Sequence, residues 1–78
     1  MTVQDIQDSQ MQITCADVIE FTAVKNTLIK AGLTWVFEPG TDVIQVFKDG
    51  DFIGDKELDP DFGTIISAQE FLKRFVYE

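Results

Sequence analysis

Six carboxylates lie within fourteen positions of this 78-residue chain, between Lys48 and Asp61. Carboxylates this close together can ligate a hard cation such as calcium, act as an acid–base pair, or offer negative charge to a partner. Their spacing and their neighbours distinguish these three kinds of chemistry. The six residues are Asp49, Asp51, Asp55, Glu57, Asp59 and Asp61.

Calcium binding requires a specific order of oxygen ligands. An EF-hand loop places them at positions 1, 3 and 5, with Gly at position 6 and a bidentate Glu at position 12. Counted from Asp49, position 3 is Asp51 and position 6 is Gly54, as the loop demands. Position 5 is Ile53 and position 12 is Pro60, and neither side chain carries an oxygen. We therefore expect no metal ligands and no cofactor.

Acid–base catalysis is the second possibility, and the composition argues against it. The chain has no histidine, which removes the commonest general base and the commonest metal ligand. Alternating carboxylates such as Asp59 and Asp61 could lie close together, but a catalytic pair needs a partly desolvated cleft. The Gly, Pro and Lys neighbours indicate a solvated loop, so we expect no catalytic residues and no enzymatic activity.

Cys15 is the only cysteine of the chain. No internal disulfide can form, and a reducing compartment such as the cytoplasm is the expected location. A thiol becomes reactive when a nearby cation lowers its pKa, but the charged neighbours here, Asp17 and Glu20, are both negative. Cys15 is therefore expected to be a small buried residue.

The net charge of −8 restricts the partners. It argues against direct binding to nucleic acid, whose affinity comes largely from cationic contacts to phosphate, and against anionic membranes. Three interpretations of the acidic stretch stay open: a solubilising surface, a docking surface for a basic patch on a partner protein, and a mimic of nucleic-acid phosphates. A mimic would need further carboxylates in the same row, namely Glu20, Glu38 and Asp42.

Hydrophobic periodicity and turn residues predict the elements that must position these carboxylates. Asp17, with Glu20 three residues later, is typical of a helix start, and Gly32 of a helix end. Ser67 and Glu70 repeat that spacing before a final helix with an apolar face of Phe71, Leu72, Phe75 and Val76. The predicted strands are 11–16, 33–38, 43–48 and 51–54, the first helix is 18–31, and 64–66 is either a further strand or a lead-in.

The predicted fold is a single α+β domain at 11–78, in β-α-β-β-β-α order, with a mainly antiparallel sheet packed by two helices. Residues 1–10 are expected to form a flexible tail. The Asp-Gly dipeptide at 49–50 favours a two-residue turn, which would set Phe47 opposite Phe52 and Lys48 opposite Asp51. Aromatic residues on both parities of the strands suggest that some apolar surface stays exposed.

The function expected from these features is that of a small acidic protein-binding module, a cytoplasmic regulator or inhibitor that docks on the basic surface of a partner protein. Phage-encoded inhibitors have this general character. The six carboxylates would engage the partner, and Trp35 or Phe52 would provide an apolar anchor. The alternatives are a nucleic-acid mimic that blocks a nucleic-acid-binding protein, and a self-associating structural protein whose sheet face pairs with a second copy as a homodimer.

Overall fold

The computed structural model describes residues 1–75. In this part of the chain three helices and five strands alternate in an α+β arrangement, which confirms the predicted class. The elements are α1 (Val3–Asp8), β1 (Gln12–Thr14), α2 (Val18–Lys30), β2 (Thr34–Trp35), β3 (Val43–Val46), β4 (Asp51–Asp55), β5 (Ile65–Ser67) and α3 (Ala68–Arg74).

The five strands form one sheet in the order β2-β4-β3-β1-β5. Strands β1 and β4 pair antiparallel with β3, while β5 pairs parallel with β1 and β2 pairs parallel with β4. The sheet is therefore mixed rather than mainly antiparallel. The reason is that the chain leaves β4 and returns across the sheet before it enters β5, so these two strands run in the same direction. Segment 64–66, left open by the sequence, contributes the edge strand β5.

Helix α2 begins and ends with the residues that the sequence indicates. The Asp17 carboxylate accepts a hydrogen bond from the Glu20 N–H at 2.9 Å, which satisfies one of the free donors of the first turn. At the other end Gly32 adopts a φ of +98°, and the Leu33 N–H donates to the Leu28 carbonyl at 3.1 Å. This is a Schellman ending, which favours glycine because side chains disfavour positive φ.

Helix α3 starts in a similar way. The Ser67 hydroxyl accepts from the Glu70 N–H at 3.2 Å, and Phe71 is fully buried. The Phe71 and Phe75 rings stack with centroids 5.2 Å apart, which extends the apolar face predicted for this helix. Val76, also predicted on that face, lies outside the described residues.

Helices α2 and α3 pack on the same face of the sheet. A Cβ built at Gly54 in β4 would lie 2.7 Å from the Phe21 ring of α2, so glycine allows the helix to approach the strand closely. The buried core forms between these layers. It includes Ile13, Ile44, Val46, Phe52 and Ile66 from the sheet, Phe21, Val24 and Leu28 from α2, and Ala68 and Phe71 from α3.

The opposite face of the sheet carries no helix, and we call it the helix-free face. Because side chains alternate along a strand, the row Gln12, Gln45 and Ile53, paired across β1, β3 and β4, points to this side. Both glutamines are nonetheless buried, Gln12 completely. Other parts of the chain must therefore cover this face.

The β3–β4 turn is one residue longer than predicted. The Asp-Gly dipeptide favoured a turn with Phe47 opposite Phe52 and Lys48 opposite Asp51, and both pairings are wrong. In the structure Val46 lies opposite Phe52, and the Phe47 N–H donates to the Asp51 carbonyl at 2.8 Å. The turn therefore contains three residues between the paired positions.

Residues 48–50 form this loop, and Gly50 ends it with a φ of +94°. A three-residue hairpin loop commonly ends with a glycine in this region. The predicted pairing placed the two aromatic side chains on the same face of the sheet, and the change of one residue in register places them on opposite faces. Phe52 enters the core, whereas the Phe47 ring meets the Phe62 ring edge-to-face at 5.2 Å on the helix-free face.

The N-terminal segment contains a helix where the sequence predicted a flexible tail. The Asp5 carboxylate accepts from the Thr2 N–H at 2.9 Å, and the Thr2 hydroxyl accepts from the Asp5 N–H at 3.3 Å. The bond from the Thr2 N–H first, and then the interaction of the Thr2 hydroxyl with the same carboxylate, lower the pKa of Asp5 below its usual value. Ile6 is fully buried in the core. The flexibility of residues 1–10 in solution stays a prediction.

Candidate functional site

Residues 56–64 connect β4 to β5, and we call this segment the acidic strap. It crosses the helix-free face of the sheet. At its middle the backbone of Asp59 is hydrogen-bonded to the side chain of Gln12 in β1. Toward its end Phe62 packs against Phe47, and Gly63 lies so close to the Ser9 carbonyl that a Cβ would be 2.4 Å from it. The strap is the layer that covers the two buried glutamines.

The structure brings five of the six predicted carboxylates to this one face. Asp51 and Asp55 alternate with the inward-facing residues of β4 and therefore point to the helix-free side. Glu57, Asp59 and Asp61 lie on the acidic strap, and all three are exposed. These five groups are spread across one face because the strap runs back over the sheet.

Asp49 stands in the β3–β4 turn, where its carboxylate accepts from the Asp51 N–H at 3.0 Å. The same local motif recurs at Asp59, whose carboxylate accepts from the Asp61 N–H at 3.0 Å. Aspartate favours turns through such bonds to the backbone two residues further on. These bonds order the acidic backbone locally. A hairpin turn followed by an acidic loop is present here, as predicted, although the turn has three residues rather than two.

Basic side chains do not neutralise these carboxylates within residues 1–75. The ion pairs in this part of the chain join Lys25 to Glu38 at 3.5 Å and Arg74 to Glu70 at 4.0 Å. Neither pair involves a carboxylate of the strap or of β4. Five carboxylates stand on this face and Lys56 is the basic residue of the strap, so the helix-free face carries a net negative potential. This potential extends about 10 Å into a solution of moderate ionic strength.

A shallow groove of about 530 Å³ separates part of the acidic strap from the sheet. Its floor includes the Gln45 side chain, which is 6% exposed. Leu58 lies on its rim and is 42% exposed, an apolar side chain between two acidic ones. Sequence reasoning missed Leu58, although a lone leucine inside an acidic run was visible. The groove is lined by Gln45, Asp55, Lys56, Glu57, Leu58, Asp59 and Pro60.

The two aromatic residues predicted as anchors lie on the other side of the sheet. Phe52 has no exposed surface, so the exposed anchor expected there is wrong: the register places its ring in the core. Trp35 is half-buried, with its ring 5.3 Å from Phe52 and 6.1 Å from Phe21. The Lys25 ammonium lies 4.2 Å from the Trp35 ring centroid, a cation–π contact. Neither aromatic is close to the acidic strap.

Cys15 is buried, 8% exposed, as the sequence indicated. Burial, and then the negative charges of Glu20, Asp17 and Asp42, raise the pKa of its thiol to about 11. A thiol with so high a pKa is almost entirely protonated at neutral pH and is a poor nucleophile. The groove beside it, with Thr14, Ser67 and Gln69 in its lining, therefore contains no activated thiol.

In residues 1–75 the carboxylates and the thiol do not gather into any group of three that could hold a metal ion. None of the three helices in this range has the length and apolar character needed to cross a membrane. The chain matches no known family model, and no curated protein or solved structure matches it significantly.

Proposed function

We propose that this protein is a small, non-enzymatic binding module that regulates or inhibits a partner protein by docking on the partner's basic surface. One observation carries the proposal: a set of carboxylates that takes part in no ion pair within residues 1–75 is displayed on the helix-free face, from a strap whose backbone is hydrogen-bonded to the sheet. Asp51 and Asp55 extend this set from β4. Such a surface complements a patch of lysine and arginine side chains.

Electrostatics would guide the encounter of the two proteins. A face of one sign raises the association rate and sets the relative orientation, and it contributes less to the final affinity. Affinity commonly depends on an apolar group at the centre of the interface. Leu58 supplies that group here, because it is exposed beside the groove and flanked by Glu57 and Asp59.

The mechanism is steric. A domain that covers the basic groove of its partner prevents other anionic ligands from entering. The acidic strap suits this role because it is already packed against the sheet before binding, so docking loses little conformational entropy.

The test neutralises three neighbouring carboxylates, Asp55 at the end of β4 and Glu57 and Asp59 on the strap, without altering their shape, and we call this protein the strap variant. In the variant Asp55→Asn/Glu57→Gln/Asp59→Asn every side chain keeps an oxygen that accepts hydrogen bonds. The control variant, Asp8→Asn/Glu38→Gln/Glu70→Gln, loses the same number of charges away from the strap. Tagged protein of each type is used to capture partners from extract, and the affinity for a purified partner is measured at several salt concentrations.

We expect the strap variant to bind about 3- to 150-fold more weakly, with a smaller dependence on salt, since three exposed charge pairs contribute about 0.2–1 kcal/mol each. The control variant should bind like the natural sequence. Equal affinity of all three proteins for the purified partner would overturn the proposal, as would an equal loss in the two variants.

Nucleic-acid mimicry is a special form of this docking, and the same assay detects it. A mimic would extend its row of charge through Glu20, Glu38 and Asp42. Glu20 instead accepts from the Ala16 N–H and the Gln69 amide at the start of α2, and Glu38 is paired with Lys25. These contacts favour a compact docking surface. Competition by an oligonucleotide for the captured partner would point to mimicry.

Self-association is the second candidate, and the edge strand β2 favours it. Val36 and Phe37 follow this strand and are 48% and 54% exposed, and an uncovered edge strand can pair with another chain. The sheet faces themselves are covered, one by helices and the other by the strap. Light scattering at micromolar concentration tests this role: a dimer that Val36→Lys dissociates would support it, and a monomer would exclude it.

A further inference from the structure

The side chain of Gln12 makes an unusual set of bonds beneath the acidic strap. Its amide oxygen accepts from the Asp59 N–H at 2.8 Å and from the Gln45 amide at 2.8 Å. Its amide nitrogen donates to the Asp59 carbonyl at 2.6 Å. Gln12 is completely buried, and the strap residue it contacts is 47 positions away.

The orientation of both amide groups follows from this network. A backbone N–H can only donate and a backbone carbonyl can only accept. Asp59 therefore requires the oxygen of Gln12 on one side and its nitrogen on the other. With that oxygen fixed, Gln45 must turn its own nitrogen toward Gln12.

The Gln12 side chain makes the two hydrogen bonds that the backbone of a neighbouring strand would otherwise make. It offers the strap one acceptor and one donor, the same two groups that a neighbouring backbone would offer. The strap can thus cross the face of the sheet with its central backbone groups satisfied, although it belongs to no strand. Within the described chain, the hydrogen bonds that join residues 57–62 to another element are the two made by Gln12.

We propose that Gln12 is a latch that holds the middle of the acidic strap on the sheet, and that this middle part opens from an otherwise intact domain when the Gln12 side chain is lost. The aromatic contact of Phe62 with Phe47 and the close approach of Gly63 to Ser9 hold the far end of the strap. The middle of the strap, with Asp59 at its centre, depends on the latch. Gln12 is thus a positioning residue for the exposed carboxylates.

Hydrogen exchange measured by NMR tests the latch without any partner. In the double variant Gln12→Leu/Gln45→Leu both buried amide groups are removed together, so neither is left unpaired in the sheet. We expect exchange of the Asp59 N–H to become about 10- to 30-fold faster, because two hydrogen bonds of about 1 kcal/mol each are lost. Core amides such as those of Val24 and Ile44 should change less than threefold.

A matched control is Gln7→Leu, which removes another bond from a glutamine side chain to a backbone carbonyl, that of Lys48 at 3.0 Å. It should leave exchange at Asp59 unchanged. Unaltered exchange at Asp59 in the double variant would overturn the proposal. So would an equal acceleration at Asp59 and in the core, since Gln12 would then act on the whole fold.

The natural sequence provides a second measurement in case the double variant does not fold. The Asp59 N–H and the side-chain NH₂ of Gln12 should exchange through one local opening, with the same opening constant and no dependence on low concentrations of urea. Different opening constants for these two groups would show that they do not form one latch.

One consequence rests on the proposed docking function. The double variant keeps all the carboxylates, yet its strap must be ordered again on binding, so it should bind a purified partner several-fold more weakly than the Gln7→Leu control. The exchange measurement needs no partner, so a failure of docking and a failure of the latch are distinguishable. If the Asp59 N–H of the double variant exchanges faster as expected but the affinity for the partner is unchanged, only the role of the latch in docking is overturned.

Discussion

Gly54 shows at the scale of one residue how the sheet and the first long helix come together. It lies in β4, and the Phe21 ring of α2 occupies the space that a side chain at this position would fill. The Gly40 carbonyl approaches from another side, so that a Cβ would lie 2.6 Å from it. The absence of a side chain therefore allows two elements to meet here.

Replacing this glycine tests the close approach. Gly54→Ala should lower the free energy of unfolding by about 1–3 kcal/mol, because the added methyl group must displace an aromatic ring and a backbone carbonyl. Urea unfolding followed by Trp35 fluorescence measures the loss. The control Asn26→Ala, at an exposed position of α2, should change the free energy of unfolding by less than about 0.5 kcal/mol. An unchanged free energy of unfolding in Gly54→Ala would contradict the close packing of Phe21 and Gly40 against Gly54.

Cys15 supports a prediction about pH. Its pKa in the folded protein is about 11, against a usual value of 9.0. As the pH rises above 9 the unfolded chain loses its thiol proton before the folded chain does, so the free energy of unfolding falls until about pH 11. Below pH 9 both forms are protonated and the thiol makes no contribution to the pH dependence.

Two measurements check this prediction. Alkylation of Cys15 at pH 8 should be much slower in the folded protein than in urea-unfolded chain. The slope of unfolding free energy against pH between 9 and 11 should be shallower in Cys15→Ala than in the natural sequence. Identical slopes would mean that burial does not perturb the thiol.

At the scale of an element, helix α1 depends on one fully buried side chain, with Val3 partly buried against the same core. It has six residues, too few for a helix to be stable alone in water. Its stability must therefore come from its capping bonds and from Ile6, which is fully buried. A flexible tail, as the sequence suggested, would make no such contact.

The variant Ile6→Ala distinguishes a docked helix from a flexible tail. If α1 is docked, the lost methyl groups and the cavity should lower the free energy of unfolding by about 2–4 kcal/mol. The exposed neighbour Gln4→Ala should have little effect. If neither variant changes the free energy of unfolding, residues 1–10 form the flexible tail that the sequence predicts.

At the scale of the whole molecule, fourteen acidic residues stand against six basic ones. Two like charges 10 Å apart in water repel by about 0.4 kcal/mol. The summed repulsion between the carboxylates of the helix-free face therefore opposes folding. Salt screens this repulsion over about 10 Å at 0.1 M.

Added sodium chloride should therefore stabilise the fold. We expect the free energy of unfolding to rise by an amount on the order of 1 kcal/mol between 0.02 and 0.5 M salt, measured with urea because it carries no charge. The strap variant Asp55→Asn/Glu57→Gln/Asp59→Asn should show a smaller increase. A decrease with salt would indicate that ion pairs such as Lys25–Glu38 outweigh the repulsion.

The sequence by itself determined the features that rest on neighbours along the chain. The boundaries of α2 follow from Asp17 and Gly32, because a cap satisfies backbone groups only a few residues away. The positions of the strands and the α+β class follow from alternation and turn residues in the same way. The carboxylates of the acidic stretch were also evident, since they lie close together along the chain.

Only the tertiary structure decided which face each residue occupies and what covers the sheet. The three-residue β3–β4 turn places Phe52 in the core and Phe47 on the opposite face of the sheet, and local pattern does not specify that register. The path of the acidic strap depends on Gln12 and Asp59, which are far apart in sequence. Contacts of this kind leave no periodic signal, because the packing of the complete chain selects them.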